Sequence, residues 1–229
     1  MRIVLFDIDG TLLWSDGAGR RAIHAALREV FGSIGPENHR FDGKTDKQIV
    51  RELMRHEGHD DAHIDARMDA LLVRYVEQLH KELRNPDHMP QRLPGVPEVL
   101  DALEARDDVT LGLLTGNVGE GATAKLRAVG IDPTRFLVNA FGSDNEHRPQ
   151  LPAIARQRAI ELLGVDVPGD RVVVIGDTPS DVTCGRAIGA RAIGIATGRY
   201  SVDELASYGA HAVFRDLTDT AAVVAAIVS

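Results

Sequence analysis

The feature that most restricts the fold is an interruption. Residues 2–8 form a short apolar, β-branched run bounded by Gly10, which reads as a strand buried on both faces. Comparable runs return only much later, at Val109–Thr115, Val172–Ile175 and Ala190–Ala196, with weaker candidates at Phe136–Phe141 and Ala212–Phe214. Helical patterns lie between and after them, at Val96–Ala105, Gly119–Val129, Pro152–Leu163, Ser180–Ile188 and Thr218–Val228, and three of these stop at Gly130, Gly164 and Gly189. This alternation predicts an α/β fold, a doubly wound parallel sheet with helices on both faces. Residues 14–92 break the rhythm. They carry three helix-like stretches, Arg20–Phe31, Asp46–His56 and Ile64–Leu83, with loops at Gly32–Gly43 and Gly58–His63, and Pro86, Pro90 and Pro94 mark the exit. The expected organisation is a sheet domain made of 1–13 and 93–229, with an inserted all-α domain, 14–92, standing on it through two linkers.

A net charge of −8 argues against nucleic acid or an anionic membrane as partner, since both require a basic surface. No stretch approaches the roughly 20 apolar residues that cross a bilayer. The apolar run at the N-terminus is too short for a signal peptide and meets Asp7 and Asp9 at once. The single cysteine, Cys184, suits a reducing compartment, so the expected location is the cytoplasm.

Asp7-Ile8-Asp9-Gly10-Thr11-Leu12 closes the first strand. Carboxylates at i and i+2 of an extended chain project to one side. They also fall where open parallel sheets bind ligands, beyond the carboxyl ends of the strands. Gly176-Asp177-Thr178-Pro179-Ser180-Asp181 follows another apolar strand and reads as the other half of a metal site. Hard carboxylate oxygens of this kind suit Mg²⁺. Gathering Asp7, Asp9, Asp177 and Asp181 without cations would be costly, since two carboxylates about 5 Å apart repel by about 3 kcal/mol at an effective dielectric of 20. A basic side chain is therefore expected too, and Arg148-Pro149 lies in the loop before the helix that leads to Asp177. Thr115-Gly116-Asn117 passes from strand to helix, where a hydroxyl and free backbone amides make an anion site or, equally, an ordinary helix cap.

In this order the motifs closely resemble the haloacid dehalogenase superfamily, nearest to its phosphoglycolate-phosphatase-like branch with an inserted helical cap. The resemblance implies a Rossmann-like core and an Mg²⁺-dependent phosphatase acting on a small phosphorylated metabolite. It makes Asp7 the nucleophile and Asp9 the general acid/base. Thr115 and Gly116, with Asn117 beside them, would hold the phosphoryl group, and Arg148 stands where a lysine is usual. Asp7, the Asp9 carbonyl and Asp177 would ligate the metal, with Asp181 supporting them. Arg156 and Arg158 follow closely, so the register of that cation is open. Lys44 and Thr45 are expected in a cap loop reaching over the site. The presence of Asp9 argues against carbon–halogen chemistry, because dehalogenases of the superfamily lack the second acid.

Gly43-Lys44-Thr45 is not a Walker loop: the position that should be glycine is Asn38, and no apolar strand precedes it. His56, His59 and His63 sit in a solvated loop without a fixed ligand spacing, and Cys184 is expected to be a small buried residue. Two rival functions remain, a phosphomutase using the same motifs and a receiver-like signalling module phosphorylated on Asp7. The helical insertion and Asp9 count against the receiver.

Overall fold

A computed structural model describes residues 1–229. Strand β1 (Arg2–Phe6) is central in a six-stranded sheet with β4 (Val109–Thr115), β5 (Val138–Phe141), β6 (Val172–Gly176), β7 (Arg191–Ile195) and β8 (Ala212–Phe214). Every pairing in this sheet is parallel, in the order β5-β4-β1-β6-β7-β8. The alternation within β1 feeds two layers. Val4 and Phe6 pack with α4 (Val96–Glu104), α5 (Gly119–Ala128) and α9 (Thr220–Val228), and Ile3 and Leu5 pack with α6 (Leu151–Leu163) and with Cys184 of α7 (Pro179–Cys184). A strand buried on both faces explains the continuous apolar run. The chain builds the sheet on one side of β1 through β4 and β5, then crosses to the other side with β6. The crevice at the carboxyl ends of β1 and β6 is thus a topological switch point, where such sheets place ligands.

Residues between β1 and β4 form a second core. Helix α1 (Ala18–Phe31), α2 (Asp46–His56) and α3 (Asp61–Glu82) bury Ile23, Leu27, Leu53, Met54 and Tyr75 against one another. On α3 the buried positions are Ile64, Met68, Leu71, Tyr75 and Leu79, the spacing of a helix with one apolar stripe. The side chains of Thr45 and Asp60 cap α2 and α3 by accepting from Gln48 N and His63 N. A short antiparallel ribbon, β2 (Leu13–Trp14) against β3 (Gln91–Arg92), ties the two connecting segments side by side.

Two local departures have clear causes. The helix expected over Ser180–Ile188 ends at Cys184, and Arg186–Ile188 is a separate 3-10 turn after Gly185. Helix α8 (Val202–Ser207) is additional; its capping box of Ser201 and Glu204 announces it, but six residues are too few for a visible period.

Candidate active site

The acids of the two motifs meet because β1 and β6 are neighbours with matched ends. Asp7 still donates its amide to Ile175 of β6 at 2.9 Å, and Asp177 is the first residue past β6. Carboxylate oxygens of Asp7, Asp177 and Asp181 lie within 4.8 Å of one another, and all three residues are buried. Arg148 occupies a single 3-10 turn ahead of α6, and Pro149 locks that turn. Its Nη2 stands 3.0 Å from Asp7 Oδ1 and also pairs with Asp181. Arg156 and Arg158 do not reach the cluster: they bind Asp166 and Asp144.

One guanidinium cannot offset three buried carboxylates. Burial, aided by the nearby Asp181 and Asp9, raises the Asp7 carboxyl to about 6 even with Arg148 beside it. Burial and the neighbouring Asp181 and Asp7 push Asp177 well above the usual range. Asp181 has both oxygens engaged within the protein, one by Arg148 and the other by the Thr178 amide at 3.0 Å and hydroxyl at 2.7 Å. Asp7 and Asp177 are less engaged, and no backbone amide donates to the Asp9 carbonyl. Two carboxylates and a carbonyl, all hard oxygen donors short of positive charge, fit a divalent cation.

Asp9 has different surroundings. Its Oδ2 accepts from Lys125 Nζ at 2.6 Å and Asn117 Nδ2 at 2.9 Å, and its Oδ1 from Ser15 at 2.9 Å. Burial works the other way, yet Lys125, then Asn117 and Ser15, hold this carboxyl below the usual range. Asp7 and Asp9, separated by Ile8, are thus driven in opposite directions, Asp7 by burial among other acids and Asp9 by its basic and polar partners.

The helical insertion closes over this floor. The Asp46 amide donates to the Gly116 carbonyl at 2.8 Å, and the Asp46 carboxylate accepts the Val118 amide at 2.9 Å. Approach is so close that a Cβ on Gly116 would fall 2.0 Å from the Lys44 carbonyl oxygen, so only glycine fits there. The cavity between the insertion and the floor has a volume of about 610 Å³; Asp7, Asp9, Thr115, Gly116, Asn117, Lys44, Arg148 and Asp177 all border it. Lys44 borders it while its Nζ is held by Glu52 and, at 3.2 Å, by His39. Thr45 is a correction to the expected substrate contact. It is buried outside the cavity lining, its hydroxyl accepting from Gln48 N as the α2 cap and donating to the Glu146 carbonyl at 2.7 Å. Lys125 and the Asp46 clasp are the groups that sequence reading misses. In sequence each passes for an ordinary helix-end charge, Asp46 in the first turn of α2 and Lys125 in the last turn of α5.

A family model described as haloacid dehalogenase-like hydrolase matches residues 4–186. The chain belongs to this family. It is 28% identical to the phosphoglycolate phosphatase of Rhodospirillum rubrum, over 94% of this chain and 87% of that protein. Among solved structures it is similar to a hydrolase from Pseudomonas syringae, with a TM-score of 0.75 at 24% identity over the whole of both chains. It is also similar to CbbY from Rhodobacter sphaeroides in complex with phosphate, with a TM-score of 0.72 at 21% identity over 96% of each chain. This haloacid dehalogenase-like enzyme is a hydrolase, and its curated relatives include phosphatases. None of its helices is long and apolar enough to cross a membrane.

Burial raises the Asp46 carboxyl to about 6 although Lys125 is near. The native state therefore keeps this proton up to about pH 6, while an unfolded chain releases it near pH 4. Ionisation thus costs native stability as pH rises between those values, and the cost is constant above them. Asp46→Asn retains an oxygen for the Val118 amide and avoids the buried charge. Its Tm is expected to exceed the wild-type value at pH 8, with the gap closing near pH 4; a wild type that melts higher at pH 8 would refute this account.

Proposed function

We propose that this hydrolase is a phosphatase that cleaves a small phosphate monoester through an aspartyl-phosphate on Asp7. The observation that carries the reading is Asp7 in the cavity between the sheet and the helical insertion, 3.0 Å from Arg148, with Thr115 and Gly116 also lining it. An in-line attack by an Asp7 oxygen forms the O–P bond as the ester O–P bond breaks, and Asp9 supplies the proton that the leaving oxygen needs. In the second half-reaction Asp9 takes a proton from water, the water oxygen attacks phosphorus, and the Asp7–phosphate bond breaks. Arg148, the Thr115 hydroxyl and the Gly116 amide stabilise charge on the phosphoryl oxygens. Asp7, Asp177 and the Asp9 carbonyl would hold Mg²⁺, with Asp181 fixing Arg148 behind them. The ion, when bound, supplies Lewis-acid charge neutralisation on the phosphoryl group.

Residues 14–92 act in this reading as a cap on the core of 1–13 and 93–229. Closure excludes water and brings Lys44 to the leaving group. The substrate is a small phosphorylated metabolite, and the relatives favour one like phosphoglycolate. The test is phosphate release from a panel of esters, p-nitrophenyl phosphate among them, with Mg²⁺ and after exhaustive chelation. Release is expected with the ion and lost without it, and full activity in chelator would remove the metal from the scheme. On the same panel, Lys44→Ala is expected to weaken kcat/KM for the best metabolite roughly 5- to 150-fold more than for p-nitrophenyl phosphate, the worth of one polar contact. Equal losses would deny Lys44 a part in selectivity.

A further inference from the structure

The geometry points to Lys125 as a positioning residue that sets the donor directions around both Asp9 and Thr115; this rests on the phosphatase reading above. A lysine ammonium has three N–H donors and no acceptor. Only the carbonyl end of the Asn117 amide can therefore face it, and Asn117 Oδ1 accepts from Lys125 Nζ at 2.6 Å. The NH₂ end of the same amide is thereby turned the other way. It donates to Asp9 Oδ2 at 2.9 Å and to Thr115 Oγ1 at 2.7 Å. Thr115 Oγ1 also receives the Asn117 backbone amide at 3.3 Å. With its lone pairs used in this way, the Thr115 hydroxyl has only its proton left to offer, the sense a phosphoryl oxygen requires.

Lys125 has a second acid nearby, the Asp46 carboxyl, but bonds to Asp9. It is 4% exposed, and its salt bridge is with Asp9. Helix α1 passes against the ammonium at Gly19, where a Cβ would lie 3.1 Å from Nζ. Without a donor at 125, the Asn117 carbonyl loses its partner, and only Asp9 Oδ2 and Thr115 Oγ1 still hold the amide in this sense. Once flipped, it would set a carbonyl oxygen against the Asp9 carboxylate and compete with the Thr115 oxygen for a donor. One ammonium on the cavity lining thus sets the polarity of two groups placed to meet the substrate.

The experiment compares Lys125→Met, Asn117→Ala and the double variant in the full-length enzyme, on p-nitrophenyl phosphate with Mg²⁺. Each single change is expected to lower kcat about 10- to 100-fold, the usual effect of removing a partner behind a functional group, with KM within about threefold. The double variant is expected to be little slower than the slower single variant, because both changes break one network. Losses that multiply, a Lys125→Met kcat within twofold of wild type, or an effect confined to KM would overturn the inference. Circular dichroism reports folding. If the methionine variant does not fold, Lys125→Gln, whose amide can still donate, carries the same comparison with a smaller loss. A wild type that releases no phosphate from any ester would sink the phosphatase reading and this inference with it. An active wild type whose losses multiply would sink the inference alone.

Discussion

Asp7→Asn is expected to reduce phosphate release by at least about 10⁴-fold, on the scale of removing a nucleophile, while leaving the fold intact. The substitution keeps shape and hydrogen-bonding capacity and deletes the oxygen that bonds to phosphorus. It also takes one charge from a cluster in which Asp7, Asp177 and Asp181 crowd within 4.8 Å, so the melting temperature is expected to hold or rise. Loss of turnover with retained stability separates a chemical role from a structural one. Acid quenching of the wild type during turnover should trap phosphate on the peptide containing Asp7, detectable by mass spectrometry. Appreciable steady-state activity in Asp7→Asn would show that water attacks the substrate directly.

The second large effect is expected at Arg148. Its side chain is 4% exposed and holds Asp7 and Asp181 together. Removing it has two consequences that can be measured apart. Turnover is expected to fall about 10²- to 10³-fold, the usual cost of deleting one fixed charge-stabilising donor. Stability is expected to fall by about 3–5 kcal/mol at neutral pH, because the carboxylates left behind are buried and uncompensated. Protonation of those carboxylates would relieve the second effect, so the stability deficit should shrink in acid while the turnover deficit persists. Arg156→Ala and Arg158→Ala are expected to stay near wild type in turnover, since their partners are Asp166 and Asp144 at the surface. A greater loss of turnover at Arg158 than at Arg148 would mean that another cation serves the phosphoryl group.

Much of this arrangement was legible in the sequence for a specific reason. Asp7, Asp9 and Asp177 are anchored to strand ends, and a buried parallel strand declares itself by its apolar run and terminal glycine. The helices of the insertion were equally plain, since Ile64, Met68, Leu71, Tyr75 and Leu79 keep a regular spacing. Lys125 was not legible. It lies in the last turn of α5, where a lysine is already accounted for by the helix dipole, and its partner Asp9 is distant in sequence. Asp46 was masked in the same way, as an ordinary acid in the first turn of α2, although its carboxylate holds the Val118 amide of the core. Arg148 is the cation that the sequence names, with its register open, because it is the 3-10 turn that directs it inward while Arg156 and Arg158 of α6 bind other partners. Thr45 is a substrate contact in the sequence reading, whereas it caps α2 and its buried hydroxyl has its partner in the Glu146 carbonyl.

The β2–β3 ribbon bears on the order in which the chain can assemble. β1 pairs with β4 through contacts such as Arg2 with Val109, so the central strand must wait for a neighbour synthesised long after it. Closing so long a loop carries an entropic penalty, and non-local pairing of this sort slows folding. The insertion has an apolar core of its own, and the ribbon brings Leu13 beside Arg92. Once that segment has collapsed, the residues following β1 and those preceding α4 are already neighbours, and the remaining search is that of a short connection. An insertion whose two ends are paired thus shortens the loop that the sheet has to close.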